Sequence, residues 1–206
     1  MKIKMLFTVL ALSAIIFTSC EDNKKKEEAE KERMEQMEAE REAEMQAEKE
    51  KMEMESNSIA AKAMATDTLS TLVEALKSAE LAEMFKTEEG PFTVFAPNNA
   101  AFSKVDETTM EELMMEENQA KLAGILKYHV VDQKVMASDL VKMINDNDGK
   151  YSINTVGGGK LDATLEGDKV ILTDENGNKA TVVQADVDAS NGVVHIIDAV
   201  VMKKAS

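Results

Sequence analysis

Residues 90–102 read GPFTVFAPNNAAF, and the reading of this stretch decides the fold. Gly90-Pro91 breaks the segment before it. In Phe92-Thr93-Val94-Phe95, alternation sends Phe92 and Val94 to one face of a strand and Thr93 and Phe95 to the other. Pro97 lacks an N–H and ends pairing. Asn98 or Asn99 then stands where a helix cap is needed, ahead of a short helix holding Phe102. The stretch therefore predicts a turn, a buried strand, a stop and a capped helix, with Phe92, Val94, Phe95 and Phe102 mainly in a core.

Upstream, Leu69, Leu72, Val73 and Leu76, then Leu81, Met84 and Phe85, recur at helix spacing, with Asp67 or Thr68 as the N-cap. Downstream, helices are expected from Thr108 to about Asn118, over Gln119–Tyr128, and from Ser138 to the polar run Asn145–Gly149. After Lys150 the period changes to two. Strands are expected at Ser152–Val156, Lys160–Leu165, Lys169–Thr173, Ala180–Ala185 and Val193–Met202. Their turns are Gly157-Gly158-Gly159, Glu166-Gly167-Asp168 and Asn176-Gly177, the last read as type I′. The nearly continuous apolar run after Asn191-Gly192 predicts burial on both faces. Helices first and strands later define an α+β domain over residues 57–206, long enough to bury a real core.

The chain ahead of this domain has a different texture. Residues 20–56 hold 15 acids and 8 bases, with no Gly or Pro and only Met and Ala as apolar residues after Cys20. This composition predicts a solvated helix or helical tether, reaching about 45 Å if about 30 residues are helical. Arg41 and Glu48 interrupt any heptad seam through Met34, Met37, Met45 and Met52, so a coiled coil is weakly supported. Residues 1–19 read as a signal peptide: Lys2 and Lys4 form a basic start, and Met5 to Phe17 is apolar but too short to span as a mature helix. The net charge of the chain is −15. Residues 57–206 carry −10 of it, which repels phosphate backbones and argues against nucleic-acid partners.

Two resemblances follow from residues already quoted. Phe17-Thr18-Ser19-Cys20 resembles the lipobox of bacterial lipoproteins, although Phe17 stands where Leu is common. That resemblance implies that Cys20 becomes the lipidated first residue of the mature chain. The other reading is an ordinary secretory signal with a free Cys nearby. Glu21-Asp22 is similar to a surface-export signal used by some diderm bacteria. Its other reading is the start of a charged tether, so the expected location is the bacterial cell envelope, lipid-anchored at the outer membrane, with the domain either exposed at the surface or in the periplasm.

Residues 57–206 resemble a fasciclin domain. Three motifs carry the likeness, in order: Gly90 to Pro97 with Ala101-Phe102; Tyr128-His129-Val130-Val131 after a helix; and Ala189-Ser190-Asn191-Gly192-Val193-Val194-His195-Ile196-Ile197-Asp198. Asn98-Asn99 departs from the Thr or Ser, then Asp or Asn, often found there. The resemblance implies a wedge-shaped β-sandwich flanked by a helical cluster, with the first and third motifs as neighbouring central strands. It implies mainly structural roles for Phe92, Thr93, Phe95, Pro97, Phe102, Tyr128, His129, Asn191, Gly192, His195 and Asp198. It implies adhesion or extracellular interaction without catalysis, through a surface or matrix protein or a glycan. Contacts are expected around Lys127, Tyr128, His129 and Gln133.

The residues offer little for other chemistry. Ser190, His195 and Asp198 invite a triad reading, yet no nucleophile elbow or oxyanion-hole motif accompanies them. With Gly149 at position six of an EF-hand, positions one and twelve are Ile144 and Thr155; with Gly177 there, position one is Leu172. Carboxylates are required, so both matches fail. Two histidines and one Cys supply no zinc set. The triple glycine lacks the Lys-Ser/Thr ending of a phosphate loop. Neither a cofactor nor a metal is expected. Met110, Met114 and Met115 on one helix read as core filling, with an adaptable binding face as the alternative. The second functional reading is an envelope binding protein for a small apolar ligand or glycan, held between the helices and the sandwich.

Overall fold

A computed structural model describes residues 22–88 and 90–204. The signal-peptide reading of residues 1–19 and the lipidation reading of Cys20 fall outside the described residues. A helix, α1 (Asp22–Ser56), opens the described chain. Its residues are strong helix formers, and no Gly or Pro interrupts it. The chain divides into two units between Lys49 and Glu50. The second unit thus includes the last residues of α1. The reason is local: in the second unit, Ser190 Oγ donates to the Met54 carbonyl (2.6 Å), and Lys86 Nζ lies 3.3 Å from Glu55.

The second unit, Glu50–Ser206, is organised by two strands far apart in sequence. β1 (Phe92–Pro97) and β7 (Gly192–Ile197) run parallel, in register from Phe92↔Gly192 to Pro97↔Ile197. All twelve residues are buried. Phe92, Val94, Ala96, Val194 and Ile196 face one core cluster, and Phe95 and Ile197 face another, so both faces of the pair are covered. On the first face lie the short helices α2 (Ile59–Met64), α3 (Ser70–Ser78), α4 (Ala82–Thr87) and α5 (Asn99–Phe102), with α6 (Glu107–Met114) and α7 (Gln119–Tyr128). The second face closes the sandwich. Its core is completed by α8 (Ala137–Asp146) and by the meander β3 (Lys150–Asn154), β4 (Lys160–Glu166) and β5 (Lys169–Thr173).

The whole strand order is β2-β1-β7-β6-β5-β4-β3, with β2 at Val130–Val131 and β6 at Lys179–Ala189. β6 turns one sheet into two layers. Its first three residues pair with β5 and its later ones with β7, and two register shifts between Val182 and Val187 bend it. The strand expected to end at Ala185 thus runs four residues further. The strand expected over Val193–Met202 stops at Ile197 instead, because the amides of Val201, Met202 and Lys204 are taken by the side chains of His129, Asp174 and Glu175. β3 likewise begins two residues before the expected start and ends at Asn154.

The turns also differ from expectation. In the 174–178 loop only Gly177 takes a positive φ (+87°), and the Gly177 N–H donates to the Asp174 carbonyl at 3.0 Å. A type I turn closed by a left-handed glycine replaces type I′, which would need Asn176 in the same region. Asp174 favours it by accepting from the Asn176 and Asn178 amides. In the β4–β5 hairpin, Gly167 alone has positive φ, the pattern of a type II′ turn.

Helix starts are set by remote partners as often as by local ones. Asn98 caps its own helix, its Oδ1 accepting from the Ala101 N–H at 2.8 Å. Asn99 reaches back instead: Oδ1 accepts from the Thr71 N–H (3.1 Å), and Nδ2 donates to the Asp67 carbonyl. The single long amphipathic stretch expected from Leu69 to Phe85 is split into α3 and α4, with Glu80 between them at φ 55°. Ala137 N–H, at the start of α8, donates to Asp186 Oδ1 on β6 (2.8 Å).

One glycine is required by space. A Cβ on Gly192 would lie 2.0 Å from the Phe92 carbonyl oxygen, a backbone atom that cannot move without breaking the β1–β7 pairing. Gly192→Ala is therefore expected to cost about 3 kcal/mol or more. Gly124→Ala, at an exposed position of α7 where a Cβ meets nothing within 4 Å, is expected to stabilise by about 0.5–1 kcal/mol. Urea unfolding of the two variants checks the opposite signs.

Candidate functional site

The polar residues of the three motifs sit where the strand pair meets its surroundings. Thr93 on β1 and His195 on β7 lie diagonally across the pair, opposite Val193 and Phe95 respectively, and both are buried. Thr93 Oγ1 donates to the Gln133 carbonyl (2.5 Å) and accepts from the Val135 N–H (2.9 Å). His195 Nε2 is 2.8 Å from the Val135 carbonyl, and its Nδ1 accepts from the Asp186 N–H at 3.2 Å. These partners assign the neutral ring with the proton on Nε2. The ring also stacks on Phe95, centroids 5.6 Å apart. Two adjacent strands therefore hold the 132–136 loop by three hydrogen bonds, two of them buried.

Tyr128 and His129 end α7. The Tyr128 hydroxyl donates to the Lys160 carbonyl (2.5 Å), and burial pushes its pKa up to about 12. His129 Nδ1 is 2.9 Å from the Ile125 carbonyl, and Nε2 accepts from the Val201 N–H at 3.2 Å. Burial pulls the His129 pKa down to about 4, against the opposing pull of the Ile125 carbonyl. Burial lowers that of His195 as well. The β3–β4 turn packs on the same helix end: Gly157 N–H donates to the Lys127 carbonyl, and a Cβ there would lie 2.5 Å from the Tyr128 nitrogen.

Asn191 is the hub of the opposite end. Its Oδ1 accepts from the Ile59 N–H (2.9 Å), and Nδ2 donates to the carbonyls of Phe85 (2.9 Å) and Glu88 (3.0 Å). Its own carbonyl accepts from the Phe92 N–H. The side chain thus ties the start of α2 to the end of α4, and the main-chain carbonyl of the same residue anchors β1. Asp198 Oδ1 accepts from the Thr181 N–H at 2.7 Å, and its carbonyl accepts from Lys104 Nζ.

The three residues of the imagined triad are each committed elsewhere. Ser190 Oγ donates to Met54, His195 serves Val135 and Asp186, and Asp198 serves Thr181. Among the described residues, no group of three or more His, Cys, Asp or Glu side chains is placed to hold a metal ion. Sequence reasoning missed Asp174. This buried carboxylate accepts from the amides of Asn176, Asn178 and Met202 and from Asn178 Nδ2. The signal available was Asp two residues before Asn-Gly, an Asx-turn pattern.

The residues expected to make contacts divide sharply. Tyr128 and His129 are buried, a correction to their reading as contact residues: their polar atoms are spent inside the domain. Lys127 is half-buried and Gln133 exposed. Asp132 and Lys134, flanking Gln133, are also exposed, and Lys134 pairs with Asp188 at 2.6 Å. Met110 and Met114 pack against the helical core, while Met115 is exposed. Between helices and sandwich there is a cavity of about 20 Å³, lined by Ile59, Leu72, Phe85, Val94, Leu126 and His129 among others. Small-molecule sites run to about 300–1,000 Å³, so this space has room for roughly one water. The second functional reading thus lacks a formed pocket there.

The geometry defines a helix-backed sandwich domain whose motif residues are internal ties. The fasciclin domain family matches residues 67–203, and the chain belongs to that family. Protein sll1483 of Synechocystis sp. is 43% identical over 145 residues, which is 70% of this chain and 73% of that one. Immunogenic protein MPB70 of Mycobacterium bovis is 32% identical over 150 residues, 71% of this chain and 69% of that one. Among solved structures, a FAS1 domain pair from the insect cell adhesion molecule fasciclin I superposes with a TM-score of 0.63 at 20% identity. The match covers 71% of this chain and 51% of the pair, so about half of that structure corresponds. Among the described residues, no helix is long and apolar enough to cross a membrane.

The buried histidines make stability depend on pH. The unfolded chain takes a proton on each His near 6.5, whereas folded His129 resists it down to about 4. Between these values the unfolded state binds more protons, so stability is full above about pH 6.5 and falls as pH drops toward 4. For His129 the loss is on the order of 3 kcal/mol. Urea midpoints measured from pH 7 to pH 4 are expected to decline, with a shallower decline in His129→Gln.

Proposed function

We propose that this protein is a lipid-anchored fasciclin-domain protein of the bacterial cell envelope, acting in adhesion or extracellular interaction without catalysis. The observation that carries the reading is the 132–136 loop. Asp132, Gln133 and Lys134 are exposed, while the backbone beside them is fixed by buried Thr93 and His195. Rigidly presented polar residues lose little conformational freedom on binding, which is what a contact surface needs. Lys127 and Gln133 are its candidate contacts from the Tyr-His region. Adhesion is the role named for fasciclin I, whose FAS1 pair shares this fold. Net charge of −15 supports a protein or glycan partner over nucleic acid.

Anchoring rests on Cys20 within Phe17-Thr18-Ser19-Cys20, and outer-membrane surface placement on Glu21-Asp22. In this reading the membrane is engaged through the N-terminal lipid, and the helical stretch after it is the tether. Cys20→Ala is expected to release the protein from the membrane fraction, and protease added to intact cells is expected to remove the domain from wild-type cells. Gln133→Ala should lower cell adherence while leaving urea stability within about 0.5 kcal/mol, as for an exposed position. Adherence unchanged when residues 57–206 are deleted would sink the adhesion reading, and continued membrane association of Cys20→Ala would sink the anchor.

A further inference from the structure

Four of the five methionines of α1 serve no purpose yet described. Met34, Met37, Met45 and Met52 are 62%, 54%, 64% and 61% exposed. At 100° per residue, Met34, Met45 and Met52 fall within about 20° of one another around the helix, and Met37 lies about 60° to one side. Together they form one stripe. A packing seam would draw on any apolar residue, but the 35 residues of α1 use only Met and Ala. Leu and Ile, which give a seam more definition, are absent from it. The stripe thus presents thioethers and no branched apolar side chain.

Elsewhere in the chain methionine is used differently. Met84, Met110 and Met114 pack against the helical core, and Met143 packs against the sandwich core. Oxidation of these four would place a polar sulfoxide against packed apolar groups. On α1 the same change falls on side chains that are more than half exposed. Other readily oxidised side chains are scarce: the sequence has no Trp and one Cys, and the hydroxyl of buried Tyr128 is bonded to Lys160.

We propose that the α1 methionine stripe is an oxidation site that takes up hydroperoxides in place of the packed methionines of the globular unit. In each event the thioether sulfur attacks the terminal peroxide oxygen. The O–O bond breaks, an S–O bond forms, the sulfur is oxidised by two electrons, and the departing oxygen leaves as water or an alcohol after taking a proton. The sulfoxide is reversible by methionine sulfoxide reductases, so the site is renewable. Met64 and Met115, 54% and 48% exposed, react alongside the stripe.

The test is treatment of the full chain with hydrogen peroxide below the total methionine concentration, followed by peptide mass spectrometry and urea unfolding. Oxygen uptake at Met34, Met37, Met45 and Met52 should be several-fold faster than at Met84, Met110, Met114 and Met143. The urea midpoint should stay unchanged while only the stripe is oxidised. In a second chain carrying Met34→Gln, Met37→Gln, Met45→Gln and Met52→Gln, oxidation of the four packed methionines should rise and stability should match wild type. Equal rates in the two sets, or a midpoint that falls as the stripe converts, overturns the proposal. So does a quadruple variant whose packed methionines oxidise no more than before.

Discussion

The parallel pairing of β1 with β7 is the constraint on which the rest depends. The two strands lie about a hundred residues apart in sequence, yet six residue pairs align without a break. Because both faces of the pair are buried, each strand must supply apolar residues at every position that meets a core, as Phe92-Thr93-Val94-Phe95-Ala96 and Val193-Val194-His195-Ile196-Ile197 do. The polar exceptions, Thr93 opposite Val193 and His195 opposite Phe95, lie diagonally across the ladder and share one task, holding the 132–136 loop. Burying them is tolerable only because every polar atom they carry has a partner, and no buried side-chain nitrogen or oxygen among the described residues lacks one.

From this pair the architecture spreads by a few side chain to backbone bonds. Asn191, in the turn before β7, joins α2, α4 and β1. His129 and Asp174 receive the chain after β7. Asp186, on the bent part of β6, supports both His195 and the start of α8. The helices they organise are short, four to ten residues in the globular unit, and helices of that length do not persist alone in water. Their stability comes from packing and from these remote caps. This explains why the motif residues look like chemistry in the sequence and act as joinery in the fold.

Legibility in the sequence followed periodicity. The continuous apolar run at Val193–Ile197 announced burial on both faces, and the 90–102 stretch gave strand, stop and helix in order, down to the cap at Asn98. Strand existence in the meander was legible from its period of two. What left no local trace was the long-range bonding. α2 was not foreseen: it is only six residues long, and although Ser58 caps it locally, its first amide is held by Asn191, 132 residues away. Asn99 looked equivalent to Asn98 but serves another helix. Tyr128 and His129 could be assigned to a surface only until their burial was known. Asn176-Gly177 carried the composition of one turn type, and the Asp174 carboxylate imposed another.

The sequence separation of β1 and β7 has a consequence for how the chain reaches this fold. β1 is synthesised long before its central partner exists, and until β7 arrives only the two-residue strand β2 can pair with it. Closing a loop of about a hundred residues costs conformational entropy before any contact repays it, although that cost grows only logarithmically with length. Domains dominated by such distant pairings fold slowly compared with those built from local contacts. During that interval Phe92, Val94 and Phe95 form an open, apolar strand edge of the kind that invites association between chains. The feature that makes the finished domain coherent is thus also the one that leaves its unfinished chain most exposed.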